Sequence, residues 1–284
     1  MQDSAHPFPL PRIMGILNVT PDSFSDGGRF LAPRQALARA LEMVEDGADI
    51  IDIGGESTRP GSTGVSLQQE LDRVIPVIEA LATRVDVLIS VDTSKPEVMA
   101  EACAAGAGMI NDVFALQAPD ALSVAARAGV PVCLMHMQGT PRDMQHHPCY
   151  DDVVAEVRDF LAARVAACVA AGIPQERLVL DPGFGFGKTQ AHNLALFRHL
   201  GALAVHGLPL LVGVSRKRMI GNILGDDRPP KARVMGSVAA ALLAARRGAR
   251  ILRVHDVAAT RDALKVLAAL DWPGSSTDSL HPDG

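Results

Sequence analysis

DGADIIDIGG, residues 46–55, is the stretch that decides the fold of this chain. Gly47 closes a stretch of helical pattern, and glycine suits the left-handed residue that ends a helix. The apolar run that follows, Ile50 to Ile53, carries one carboxylate, Asp52. It lacks strict alternation, as a strand buried on both faces of a parallel sheet does.

The same unit recurs along the chain. AGAGMINDV (105–113) holds Gly106 and Asn111, and RAGVPVCLMH (127–136) holds Gly129 and His136. AGIPQERLVLDPG (171–183) holds Gly172 and Asp181, and RGARILRVHD (247–256) holds Gly248 and Asp256. Other apolar runs end at Asn18, at Asp92, and just before Ser215, Arg216 and Lys217. Helical patterns lie between them. Leu37, Leu41 and Val44 recur at spacings of three and four, as do Leu67, Leu71, Val74, Ile78 and Leu81 behind a Ser66-x-x-Gln69 capping box. Ser94, Pro96 and Glu97 open another helix. Further helices are predicted near 119–128, 151–171, 190–205, 231–247 and 257–270.

About eight strand-helix units in one chain predict a single (β/α)8 barrel of the TIM type, with its site at the C-terminal ends of the strands. The alternative is a doubly wound open sheet, which gathers fewer strand ends at one switch point. The expected organisation is an N-terminal extension over 1–12, the barrel over 13–272 and a disordered tail over 273–284.

Composition narrows the function. Hydrophobic residues make up 48% and aromatics only 4%, so the core is aliphatic. A net charge of −5 with dispersed Lys and Arg argues against nucleic-acid binding. No apolar stretch has membrane-span character, and no signal peptide is read at the start. The cysteines, Cys103, Cys133, Cys149 and Cys168, form no CxxC pair and read as reduced thiols of a cytoplasmic protein.

Long Gly- and Ser-rich loops follow the first two strands: NVTPDSFSDGGRF (18–30) and GGESTRPGSTGVS (54–66). They carry Asp22, Phe24, Asp26, Thr58, Arg59 and Pro60, and read either as lids over a substrate or as plain surface loops. DPGFGFGKT (181–189) has three residues between Gly183 and Gly187, one too few for a phosphate-binding P-loop. It reads as a glycine turn whose Phe184 and Phe186 flank a flat ligand. His146 and His147 lack zinc-site spacing and read as solvated. Asp92, Asp181 and Asn111 suit an amide or guanidine-like edge. Arg59, Lys217, Arg253 and His255 suit phosphate or diphosphate.

These segments closely resemble the dihydropteroate synthase family. The matching stretches are MGILNVTPDSFSDGG, DIIDIGGESTRPG, ISVDTSKPEV, INDV, PVCLMHMQGTP, VLDPGFGFGK, LLVGVSRKRMIG and RVHDV, in order over 14–257. The resemblance implies a homodimeric, Mg2+-dependent barrel transferase. It would join 6-hydroxymethyl-7,8-dihydropterin diphosphate to para-aminobenzoate and release diphosphate. It implies a pterin pocket of Asp92, Asn111, Asp181 and Lys217, with Arg253 stacked on the ring. Asn18 would hold magnesium on the diphosphate, and Thr58, Arg59, Arg253 and His255 would bind the anion. Phe24, Pro60, Phe186 and Ser215 would shape the aminobenzoate pocket, with Asp26 assisting from the first loop. Arg218 stands where relatives often have serine, which implies an altered pocket edge or an outward side chain. Rival readings are a pterin-dependent methyltransferase, in which the STRPG and SRK elements would lack a purpose, and a non-catalytic pterin-binding paralogue.

Overall fold

The computed structural model describes residues 10–20, 31–57, 64–225 and 228–271. In chain order the elements are β1 (Arg12–Asn18), α1 (Leu31–Glu45), β2 (Ile50–Gly54), α2 (Leu67–Ala82), β3 (Leu88–Asp92), α3 (Pro96–Ala104), β4 (Met109–Asp112) and α4 (Ala121–Ala128). Then come β5 (Val132–Met135), α5 (Val153–Ala170), β6 (Leu178–Asp181), α6 (Gln190–Arg198), β7 (Leu210–Val212), α7 (Arg218–Leu224), α8 (Val234–Arg246), β8 (Ala249–Val254) and α9 (Val257–Asp271). The strands pair in sequence order, all parallel, and β1 closes on β8. The fold is a (β/α)8 barrel, and the open-sheet alternative is excluded by that closure.

Side chains alternate along each strand, and the alternation separates two cores. One set, including Ile51, Ile53, Ile89, Val91, Leu134 and Leu180, packs outward under the helices. The other, Met14, Ile50, Met109, Cys133, Val179, Leu211 and Ile251, fills the barrel. The next inward position up each strand is mostly polar: Asp52, Ser90, Asn111, Asp181 and Arg253. The apolar plug therefore ends where the polar rim begins.

Helix starts follow local chemistry. Ser66 Oγ accepts from the Gln69 amide at 3.2 Å, and Gln69 Oε1 accepts from the Ser66 amide at 3.0 Å, which is the predicted capping box. Pro96 opens α3, but Ser94 does not cap it; Ser94 Oγ donates instead to Asp112 Oδ1 at 2.5 Å. The helix predicted over 190–205 ends at Arg198 and continues as 3-10 turns at Leu200–Leu203 and Val205–Gly207. Gly201 weakens the helix there, and the tighter winding buries both Leu200 and Leu203. Helix α7 was not among the predicted helices. Its Gly221 lowers intrinsic propensity, and packing against α8 holds it, with Ile220 and Leu224 against Gly236.

The expected extension and tail fall largely outside the described residues, as do 21–30 and 58–63 of the two long loops. Among the described residues, no helix is long and apolar enough to cross a membrane. All four cysteines are free; Cys133 and Cys168 are buried and Cys149 is exposed.

Candidate active site

Strand register sets out the rim. Asn18 lies opposite Gly54, Gly54 opposite Asp92, and Asp92 opposite Asn111. At Gly54 and Gly213 the inward position carries no side chain. A Cβ on Gly54 would sit 3.6 Å from Asp92 Oδ2 and 3.8 Å from Asn18 Oδ1. A Cβ on Gly213 would sit 3.7 Å from Arg253 Cβ and 4.0 Å from Lys217 Nζ. Asn18, Asp92, Arg253 and Lys217 thus border common space.

Arg253 is the hub. Its Nε donates to Asp52 Oδ2 and its Nη2 to Asp92 Oδ2, both at 2.6 Å. Asp52 Oδ2 also accepts from Asn111 Nδ2 at 3.1 Å. Burial pushes the Asp92 carboxyl up to about 7; Arg253 opposes the shift, and the neighbouring Asp52 adds to it. The same two carboxylates hold the Arg253 proton more tightly than usual.

Across the rim, Asp181 Oδ1 accepts from the Gly183 amide at 2.7 Å. Burial raises its carboxyl, with Lys217 the main opposing charge. Lys217 Nζ donates to the Phe184 carbonyl at 2.5 Å and lies 4.6 Å from the centre of the Phe186 ring. Burial draws Lys217 down to about 8, against the pull of Asp181. His255 faces Ser215, whose Oγ lies 3.2 Å from the His255 amide and 3.1 Å from its Nδ1.

The structure thus brings together Asn18, Asp92, Asn111, Asp181, Phe186, Ser215, Lys217, Arg253 and His255. Phe24, Asp26, Thr58, Arg59 and Pro60 lie outside the described residues. One expectation is corrected. Phe184 does not flank a ligand; it is fully buried, 5.8 Å from Phe197 between ring centres. Of the two phenylalanines in the turn after β6, Phe186 is the one partly exposed. His146 and His147 are exposed as read, and Arg218 sits exposed at the start of α7.

Two contributions were missed by sequence reasoning. Asp52 was visible as a carboxylate inside a strand, but its grip on Arg253 depends on which strand closes the barrel. Arg216, inside the SRK stretch, forms a two-pronged ion pair with Asp256 that ties the β7 and β8 ends together.

For a metal, the rim offers the neutral amide oxygen of Asn18, which borders the same space as the Asp92 carboxylate. No group of three or more His, Cys, Asp or Glu among the described residues could hold an ion alone. Magnesium keeps several waters and is held by few protein oxygens plus substrate phosphates. A hard oxygen at the rim fits that habit.

The chain matches the family described as Pterin binding enzyme over residues 14–255, the span that contains every described rim residue. That match supplies the class: pterin-binding enzymes, here on a closed barrel. The dihydropteroate synthase of Escherichia coli strain K12 is 55% identical over 259 residues, 91% of this chain and 91% of that protein. A solved Xanthomonas albilineans dihydropteroate synthase with 4-aminobenzoic acid is 58% identical, with a TM-score of 0.87 over 92% of this chain and 93% of that one. Another from the same organism, in complex with 7,8-dihydropteroate, is 55% identical, with a TM-score of 0.84 over 92% of this chain and 94% of that one. The chain belongs to the dihydropteroate synthase family. It is a transferase of folate synthesis that produces 7,8-dihydropteroate.

Proposed function

We propose that the rim divides the condensation of 6-hydroxymethyl-7,8-dihydropterin diphosphate with para-aminobenzoate into three tasks. Asp92, Asn111, Asp181 and Lys217 hold the edge of the pterin, whose N–H groups seek charged acceptors and whose carbonyl seeks a cation. Asp52 and Asp92 take Arg253 through its edge, which leaves the guanidinium face for stacking on the ring. Arg253, His255, Thr58 and Arg59 stabilise charge that grows on diphosphate. Phe24, Pro60, Phe186 and Ser215 bound the aminobenzoate, with Asp26 assisting. The observation that carries this reading is the single connected set Asn111–Asp52–Arg253–Asp92, with Lys217 and Asp181 facing it.

Asn18 would hold Mg2+, which when bound supplies charge neutralisation for the departing diphosphate. The C–O bond at the pterin methylene breaks, and diphosphate leaves with the electron pair. The electron-rich ring shares the positive charge left behind, an SN1-like path. The aryl amine is neutral near pH 7 and attacks that carbon; its surplus proton is released to solvent. No strong general base is required, which agrees with a rim that offers carboxylates and cations but, among the described residues, no histidine dyad. Pterin diphosphate binds first and aminobenzoate second.

Two finer points accompany the reading. Exposed Ile223 and Leu224 on α7 and Met235 and Leu243 on α8 support a homodimer formed through this face. The free cysteines support a reducing, cytoplasmic setting. The test is diphosphate release from pterin diphosphate by the purified chain. Release that requires both aminobenzoate and Mg2+ is the expected result. Pterin binding without turnover would point to the non-catalytic paralogue instead. Light scattering reports the dimer.

A further inference from the structure

The turn after β6 is held in an unusual way. Every carbonyl from Gly183 to Gly187 accepts from a side chain of the described structure. Lys188 Nζ takes Gly183 O at 2.9 Å and Phe186 O at 2.9 Å, and Lys217 Nζ takes Phe184 O at 2.5 Å. Gln145 Nε2 takes Gly185 O at 2.7 Å, and Tyr150 Oη takes Gly187 O at 2.8 Å. Lys188 alone serves two of them and also reaches another strand. Its Nζ lies 3.2 Å from His136 O and 3.0 Å from His136 Nδ1, just beyond the end of β5.

Lys188 is 3% exposed, and burial draws its ammonium down to about 7, against the pull of Asp181. A buried cation without partners is costly, and here carbonyl dipoles and an imidazole nitrogen surround it. His136 is kept neutral, its imidazole drawn down to about 3 by burial and by Lys188, so Nδ1 is available as an acceptor. The turn packs directly on the backbone that follows β5. A Cβ at Gly183 would lie 1.9 Å from His136 O, and one at Gly187 would lie 2.3 Å from Gln138 O. Lys188 therefore sits between two backbone segments already in contact and cross-links them.

We propose that Lys188 is a positioning residue for the aryl-amine side of the site. By pinning the β6 turn to His136 and taking the Phe186 carbonyl, it fixes the Phe186 ring. The proposal rests on the reading of Phe186 as a wall of the aminobenzoate pocket. The pterin contacts do not run through Lys188: Lys217 takes the Phe184 carbonyl directly, Phe184 is held by its own buried ring, and the remaining contacts come from other strands and from Asp181.

The experiment uses the full chain and a ladder of variants. Wild-type turnover tests the reaction itself. Phe186→Leu tests the pocket wall and should raise KM for aminobenzoate. Given both, Lys188→Met should raise KM for aminobenzoate about tenfold, roughly 1.4 kcal/mol, while pterin-diphosphate affinity changes less than about twofold. Lys188→Ala should recover low KM in methylammonium chloride but not in tetramethylammonium chloride, because only the former donates hydrogen bonds to the vacated carbonyls. A folded Lys188→Met protein with wild-type KM overturns the proposal. So does equal loss of affinity for both substrates. If Lys188→Met does not fold, Lys188→Ala decides: selective recovery by methylammonium supports the proposal, and no recovery overturns it. An unchanged KM in Phe186→Leu condemns the pocket reading instead, a separable outcome.

Discussion

Arg253 Nη2 lies 2.6 Å from Asp92 Oδ2, and the same guanidinium holds Asp52 through Nε at 2.6 Å. One cation thus joins the ends of β2, β3 and β8, with Asp52 fully buried. Removing one partner of a buried ion pair leaves a charge uncompensated and typically costs about 3–5 kcal/mol. Arg253→Met is therefore expected to lower unfolding stability by an amount of that order at pH 8. The loss should be smaller at pH 5.5, where the orphaned Asp92 carboxyl can take up a proton. Urea titrations at the two pH values measure both effects, and a pH-independent loss would contradict the ion-pair account.

The second prediction concerns pH. Asp92 must be ionised to accept from pterin N–H groups, and its carboxyl is pushed up to about 7. Lys217 must be protonated to donate, and burial draws it down to about 8. The rate constant kcat/KM for pterin diphosphate should fall below pH 7 and again above pH 8, a narrow bell. Stability has a different dependence. A carboxyl raised on folding contributes fully below its unfolded pKa of 3.8, and the contribution is lost as pH rises through about 7. The lowered Lys217 makes folding more favourable as pH rises from about 8 toward its ordinary value of 10.5. Asp92→Asn should flatten the acid limb while lowering the maximum. An acid limb that survives intact in Asp92→Asn would assign it to another group.

The rim was legible from sequence because a short parallel strand places its last polar residue at one barrel end. Asn18, Asp92, Asn111, Asp181 and Arg253 needed only strand direction and alternation. Asp52 needed more. That it meets Arg253 depends on the stagger between strands and on closure of β8 against β1, and neither leaves a local signature. Phe184 and Phe186 could not be told apart because three left-handed glycines, at Gly183, Gly185 and Gly187, remove any regular period from the turn. His136 was read as another rim residue, but Lys188 and the Phe160 ring, 4.9 Å away, draw it inside. Ser94 looked like a cap because its type and place were right, and only the tertiary fold brought Asp112 within reach.

Those glycines support a third prediction, which separates strain from collision. Gly172 has φ +88° and nothing within 4 Å of an added Cβ. Gly172→Ala should meet only the left-handed penalty of about 1–2 kcal/mol. Gly183 has φ +68° and would place its Cβ 1.9 Å from His136 O, a backbone atom of the neighbouring strand end. Gly183→Ala should therefore lower Tm far more than Gly172→Ala and reduce aminobenzoate binding in whatever folded fraction remains. Equal melting shifts would mean that β5 and the β6 turn do not press together as described.

The last prediction concerns Asp256. Arg216 has φ +58°, an uncommon conformation for a side chain of its size. Its amide donates to Ser237 Oγ at 2.9 Å and its carbonyl accepts from Arg233 Nη1 at 3.0 Å. The guanidinium then takes both oxygens of Asp256. This residue stands between Ser215 and Lys217, while Asp256 directly follows His255, so the pair sets the spacing of both rim segments. Asp256→Asn keeps an acceptor but loses the matched two-pronged charge. It should cost less stability than Asp256→Ala, which leaves Arg216 wholly unmatched, by about 1–3 kcal/mol on the scale of charged hydrogen bonds. Both variants should weaken pterin-diphosphate binding more than they raise KM for aminobenzoate, since Lys217 and His255 serve the anion and the pterin edge while only Ser215 of these segments faces the other pocket. Calorimetry with pterin diphosphate and steady-state kinetics in aminobenzoate read the two sides separately. A selective effect on aminobenzoate would show that the β7 to β8 stitch governs the other pocket.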